Sequence, residues 1–150
     1  MHTATVTELW SEELRLWTEG VENCRDRLAP HCLMTLPGTG PLKPDEALAH
    51  GKSAAWGDVR ISRKNTSEHH GAVVLAYRAR ARQDGTGAPY MAWCTSCWVP
   101  RKGGWQMVQH QQRPETDSAP GIAPASSRDR AADLATYSGA SASAPLGVSA

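Results

Sequence analysis

The chain has 150 residues, a formal net charge of +1 and 21% charged side chains. That length suits one domain with a real core and is short for two, and the near balance of charge argues against a surface built to grip nucleic acid. No apolar run approaches the roughly 18 residues that span a bilayer, and the N-terminus lacks the basic, apolar and small-residue order of a secretory signal, so a cytoplasmic protein without membrane partners is expected.

From Thr7 to Gly20 the residues Leu9, Trp10, Leu14 and Trp17 recur at three- and four-residue steps, predicting an amphipathic helix capped near Thr7. Glu8, Glu12, Glu13 and Arg15 fall mostly off that apolar face. Gly20 interrupts the pattern, Val21 to Leu28 resumes it, and Pro30 is expected to stop it. His31 to Leu36 is a short strand-like run, and the cluster Pro37 to Pro41 must turn. Pro44 with Asp45 and Glu46 opens a second helix, predicted to reach about Ala55, and Trp56 and Gly57 close it.

The remainder reads as strands. Asp58 to Thr66 alternates Val59 and Ile61 against Arg60, Ser62 and Lys64, and His69, His70 and Gly71 turn the chain. In the next run Val73, Leu75, Tyr77, Ala79 and Ala81 share a face that should meet the core, opposite Arg78, Arg80 and Arg82. Asp84 and Gly85 supply one turn, and Gly103 and Gly104 another, on either side of the run Tyr90 to Pro100. Trp105 to Pro114 completes an antiparallel meander, so helices come first and strands after, the order of an α+β domain. The domain is set at 1–114. Residues 115–150, rich in Ala, Ser, Pro and Gly, are expected to be a disordered tail, with a short helix around Asp129 to Thr136 as its one candidate element.

Cys24, Cys32, Cys94 and Cys97 sit in a domain large enough not to need disulfides and are read as thiols. The Cys94 and Cys97 spacing fits a zinc or redox half-site, but in a strand the two side chains point to opposite faces. Glu68, His69 and His70 lie together in sequence, yet adjacent turn histidines diverge and no further ligand is near, so no metal is expected.

This layout resembles the NTF2-like superfamily, in its SnoaL-like and DUF4440-like branch of small bacterial proteins. The matching pieces are the N-terminal helix, the break Leu28-Ala29-Pro30 leading into Leu33 to Gly38, the helix holding Glu46-Ala47, the strands Val73 to Arg82 and Ser96 to Arg101, and Gly103-Gly104-Trp105 running to Gln112. The resemblance covers about residues 7–114. It implies a curved antiparallel sheet wrapped round helices as a cone, a largely apolar pocket at its open end, and often a homodimer through the sheet's outer face. It also implies a choice of roles, since isomerases, polyketide cyclases, dehydratases, epoxide hydrolases and non-enzymatic domains share the fold. Enzymes of this fold commonly place an Asp or a His–Asp pair in the pocket, whereas the strand interiors here offer no carboxylate.

His110, near the pocket in such a cone, is the leading proton-transfer candidate because imidazole titrates near neutrality. Its competing role is a hydrogen bond at a strand end or a dimer face. If it faces inward, strict alternation puts Val108 and Gln112 on its side and Trp105, Met107, Gln109 and Gln111 on the other. Tyr77 is a candidate hydrogen-bond donor to a ligand or, more commonly, a core residue with a satisfied hydroxyl. One of Thr95 and Ser96 must point outward, and Asp58 is a base only if its strand start reaches the cone mouth. Met34, Trp56, Trp10, Thr95, Val108 and Gln112 are assigned to the pocket wall. Six tryptophans with no phenylalanine exceed what the core needs. Trp93 and Trp98 lie on opposite faces of one strand, and whichever leaves the core is the interface candidate. The expectation is a cofactor-independent protein binding a small apolar or aromatic molecule, acting on it by acid/base isomerisation, cyclisation or dehydration, with a non-catalytic ligand-binding or dimerising accessory role as the alternative.

Overall fold

The computed structural model describes residues 3–51, 55–83 and 87–115. The expected tail, its candidate helix and the turn at Asp84 and Gly85 lie outside the described residues.

Helix α1, Thr3–Asn23, buries Leu9, Glu13, Leu16, Trp17, Gly20 and Val21 on one side. These positions recur with the helical repeat, so the buried stripe is centred on Glu13, and Leu14, expected on the apolar face, is turned out to 40% exposure. Gly20 adopts φ 80° and ψ 171°, a conformation that side chains with a Cβ rarely reach, and so kinks the helix. The kink makes a contact: the Trp17 carbonyl accepts the backbone N–H of Trp56 at 2.7 Å. The helical pattern predicted from Val21 to Leu28 continues only to Asn23 and then gives way to tight turns, with Arg27 N–H bonded to Cys24 O.

Strand β1, Leu28–Thr35, contains Pro30, which was expected to end a helix instead. Proline lacks the ladder donor, and the register of β1 is broken between Leu28 and Leu33. The turn-like run after it closes a hairpin with β2, Pro41–Leu42, a two-residue strand that the proline and glycine content conceals. Helix α2, Pro44–Ala49, starts with Pro at its first turn, and the Glu46 carboxylate accepts the Lys43 N–H at 2.8 Å. It is shorter than the predicted span to Ala55.

The remaining strands β3 (Gly57–His69), β4 (Ala72–Arg82), β5 (Tyr90–Arg101) and β6 (Gly104–Pro114) form the antiparallel meander. The six-stranded order is β2-β1-β6-β5-β4-β3, and β1 runs parallel to β6, so the sheet is mixed rather than wholly antiparallel. β3 is an edge, nearly all exposed, with register shifts and positive φ at Asp58 and Arg63, features that discourage further strand pairing.

One departure from alternation decides the site. On β6 both Met107 and His110 are buried, although three residues apart. Trp98 pairs with Met107 and Cys97 with Gln109, leaving Val108 as the extra residue of a β-bulge, which reverses the facing of the strand. The expected grouping of Val108 with His110 fails for that reason, and Met107 joins the core.

Candidate functional site

The inner face of β4 and β5 carries Ala79, Ala81 and Ala92 toward one end of the sheet, and these small side chains admit Trp17, Trp56 and Tyr90. Trp56 stacks on Tyr90 with centroids 5.1 Å apart, and Trp17 meets both rings at about 6 Å. Beside this aromatic group lies a cavity of about 270 Å³. Its wall includes Leu16, Trp17, Met34, Leu36, Trp56 and Tyr90, with His110, Gln112 and Gln83 as its polar side chains. None of the described lining residues is charged.

The bulge at Val108 places His110 opposite Ser96. The Ser96 Oγ lies 2.7 Å from His110 Nδ1, and the Gln112 Nε2 lies 3.1 Å from His110 Nε2. Tyr90 donates its hydroxyl hydrogen to Gln112 Oε1 at 3.1 Å, which leaves the Gln112 amide hydrogens for the imidazole. Nε2 therefore accepts and Nδ1 carries the hydrogen, a neutral tautomer directed at Ser96. Burial without a charged partner pushes the His110 pKa down to about 4.

Behind His110 stands a group absent from the sequence-based assignment. Glu13 is 0% exposed. Tyr77 donates to its Oε2 at 2.8 Å and Trp98 Nε1–H to its Oε1 at 2.8 Å. Trp17 Nε1–H donates to the Tyr77 oxygen at 2.9 Å, so the Tyr77 hydrogen is free to face the carboxylate. Ser96 is a further fully buried neighbour whose influence favours the ionised carboxyl. Burial raises the Glu13 pKa while these donors oppose the rise. The missing carboxylate is thus supplied by the helix, not by a strand. Its signal was its place midway between Leu9 and Trp17, four residues from each, within the stripe that also holds Leu16 and Val21.

The candidate residues separate clearly. Met34, Trp56, His110 and Gln112 meet at the cavity. Tyr77, 1% exposed, is engaged with Glu13 and Trp17 and is not among the wall residues. Trp10 packs edge-on against Tyr77 with centroids 5.7 Å apart, and Lys64 Nζ lies 5.2 Å from its ring centroid. Thr95 and Trp93 line a separate hollow with Asn65, Gln111 and Arg113, so Thr95 is the outward member of its pair and Ser96 the inward one. Trp98 is 1% exposed and bonded to Glu13, which removes it from any outer contact face, whereas Trp93 is 39% exposed. Asp58 is drawn to Arg60 and Arg80 at the edge of the sheet. Tyr90 and Gln83, neither of them foreseen, complete the wall.

Burial pushes the thiol pKa of Cys24 up to about 11 and those of Cys32 and Cys94 up to about 12, leaving little thiolate at neutral pH. Among the described residues no three His, Cys, Asp or Glu side chains gather to hold a metal, and no helix is long and apolar enough to cross a membrane.

No protein-family model matches the sequence, and neither does any curated protein. Solved structures do match. An NTF2-like protein from Cytophaga hutchinsonii superposes with a TM-score of 0.61 at 14% identity, over 77% of this chain and 100% of that one. A ketosteroid isomerase-like protein from Parabacteroides distasonis gives 0.61 at 10% identity, over 73% and 86%. The CaMKII hub homology domain of Chlamydomonas reinhardtii gives 0.58 at 15% identity, over 77% and 100%. The chain has the NTF2-like α+β cone fold; at these identities the likeness is one of fold.

Proposed function

We propose that the protein binds a small, flat, uncharged molecule in the cavity between α1 and the sheet, in the cytoplasm, and that His110 is its proton-transfer group. The observation that carries this reading is the wall itself: aromatic and aliphatic side chains surround a neutral imidazole and two amides, with no charged side chain among the described lining residues. Such a wall favours apolar rings and penalises a carboxylate or phosphate, which would lose its hydration without gaining a counter-charge. The polar groups then fix orientation. A ligand bearing a hydroxyl or an acidic C–H displaces the Gln112 amide from His110 Nε2, and Tyr90 holds that amide when the cavity is empty. Isomerisation, cyclisation or dehydration by acid/base catalysis fits these groups, and a SnoaL-like or DUF4440-like role is the corresponding assignment.

Titration with a panel of neutral polycyclic aromatics and their carboxylated counterparts tests this, read by the fluorescence of Trp17 and Trp56 at the wall. The neutral members should quench emission and the Trp56→Ala variant should weaken them. His110→Gln should keep binding and lose turnover. Equal binding of the carboxylates, or no binding across the panel, would overturn the reading.

A second reading has its own support. Trp93 is 39% exposed on the sheet, and two of the similar solved structures are CaMKII association or hub domains. A homodimer formed through the outer face, with Trp93 at its centre, is compatible with ligand binding inside. Trp93→Glu should then yield monomers in sedimentation velocity.

A further inference from the structure

The hollow at Thr95 and Trp93 lies on the other face of the sheet from the His110 cavity, and strand register explains its shape. Asn65 of β3 stands opposite Ala76 of β4, Ala76 opposite Thr95 of β5, and Thr95 opposite Gln111 of β6, so one row of side chains crosses these strands. Side chains alternate along a strand, and because Tyr77, Cys94, Ser96 and His110 are buried inside, this row points outward. Ala76 is its smallest member, so the row sinks between its ends. In the neighbouring row Trp93 pairs with Arg78 on one side and Arg113 on the other. The hollow measures about 240 Å³, and its wall includes Asn65, Ala76, Trp93, Thr95, Gln111 and Arg113.

The two arginines beside Trp93 differ in what holds them. Arg78 Nε donates to Glu115 Oε2 at 2.7 Å, so its charge is met. Arg113 is exposed, has no acidic partner among the described residues, and is the one charged side chain among the described lining residues. A free guanidinium presents parallel N–H donors that match the two oxygens of a carboxylate. Trp93, 39% exposed, supplies an indole surface in the same hollow, and Thr95 and Gln111 add a hydroxyl and an amide. We propose that this hollow binds a small aromatic monocarboxylate, its ring against Trp93 and its carboxylate on Arg113. One unpaired cation matches one negative charge, and the hollow has the size of a small-molecule site. The inner cavity, with no charged side chain among its described lining residues, favours the opposite class, so the two faces of the sheet sort ligands by charge. The outer site does not depend on any proton transfer at His110.

Naphthoate, its neutral counterpart naphthamide, and acetate are titrated into the intact protein while the indole N–H resonances are followed one by one, Trp93 being assigned by its loss in Trp93→Phe. Naphthoate should shift the Trp93 resonance saturably, and naphthamide and acetate should bind there far more weakly. Arg113→Gln, an exposed change, should weaken naphthoate about tenfold at Trp93 and remove its advantage over naphthamide. Added salt should weaken naphthoate in wild type and leave the variant unmoved. Shifts of Trp17 and Trp56 report the inner cavity separately, so failure of either site is seen apart from the other. A Trp93 resonance that ignores naphthoate, equal binding of naphthamide or acetate there, or an affinity unchanged in Arg113→Gln would overturn the proposal. So would a Trp93 resonance that shifts when the protein alone is concentrated and stays indifferent to naphthoate, since a second copy would then cover the hollow.

Discussion

Two charged residues of α1, two positions apart, show how differently the same helix uses charge. Arg15 points outward and reaches Glu19 at 2.8 Å, Asp26 at 3.1 Å and Glu12 at 3.4 Å, a cluster whose members keep much of their hydration. Glu13 points inward, is fully buried, and is held by hydrogen bonds from Tyr77 and Trp98. The surface network has more partners and should still matter less, because water and salt replace what it loses. The interior one has no substitute.

Breaking the inner member should therefore cost most. Glu13→Ala orphans the Tyr77 hydroxyl and the Trp98 indole N–H and leaves a void, so a loss of about 4 kcal/mol is expected in urea denaturation. A loss no greater than that of Arg15→Ala would erase the contrast.

Acid sharpens it next. His110 is held neutral with its pKa lowered from 6.5 to about 4, so below pH 6.5 the unfolded chain binds a proton that the folded chain refuses. Stability from this group is complete above pH 6.5 and drains away as the pH falls toward 4, by up to about 3 kcal/mol. Glu13, raised by burial, has the opposite sign: its contribution is present below the unfolded carboxyl pKa and is lost as the pH rises. Replacing His110 with Gln should flatten the acid side of a stability profile measured from pH 4 to 7, and an unchanged slope would contradict the assignment.

Gly20→Ala comes third. The backbone at φ 80° and ψ 171° is strained for alanine, and a cost of about 2 kcal/mol is expected in thermal unfolding. The emission of Trp56 should change with it, since the kink sets the Trp17 carbonyl that anchors Trp56. Arg15→Ala should cost least, below about 1 kcal/mol, and less still in high salt.

Much of the fold follows from periodicity, and much of the site escapes it. The alternation in β4 correctly puts Val73, Leu75, Tyr77, Ala79 and Ala81 inside, because a strand paired on both edges with one covered face leaves no other arrangement. The first helix is equally legible, but not its facing: glutamate is assigned to water by habit, and only tertiary partners 64 and 85 residues away make its burial tolerable. His110 is identifiable as a candidate from its chemistry. Its orientation depends on an unmatched Val108, which no count of alternating residues reveals. The hairpin to β2 is hidden similarly, by prolines and glycines that normally announce a loop.

The most direct test is the titration of the His110 imidazole, followed by carbon and nitrogen resonances of the ring across pH 3.5 to 8. A dry interior behind the cavity predicts that the ring stays neutral until about pH 4. A midpoint near 6.5, the ordinary value, would mean that water reaches the ring freely, and the buried polar array described for Ser96, Glu13 and Gln112 would not be the state of the molecule in solution.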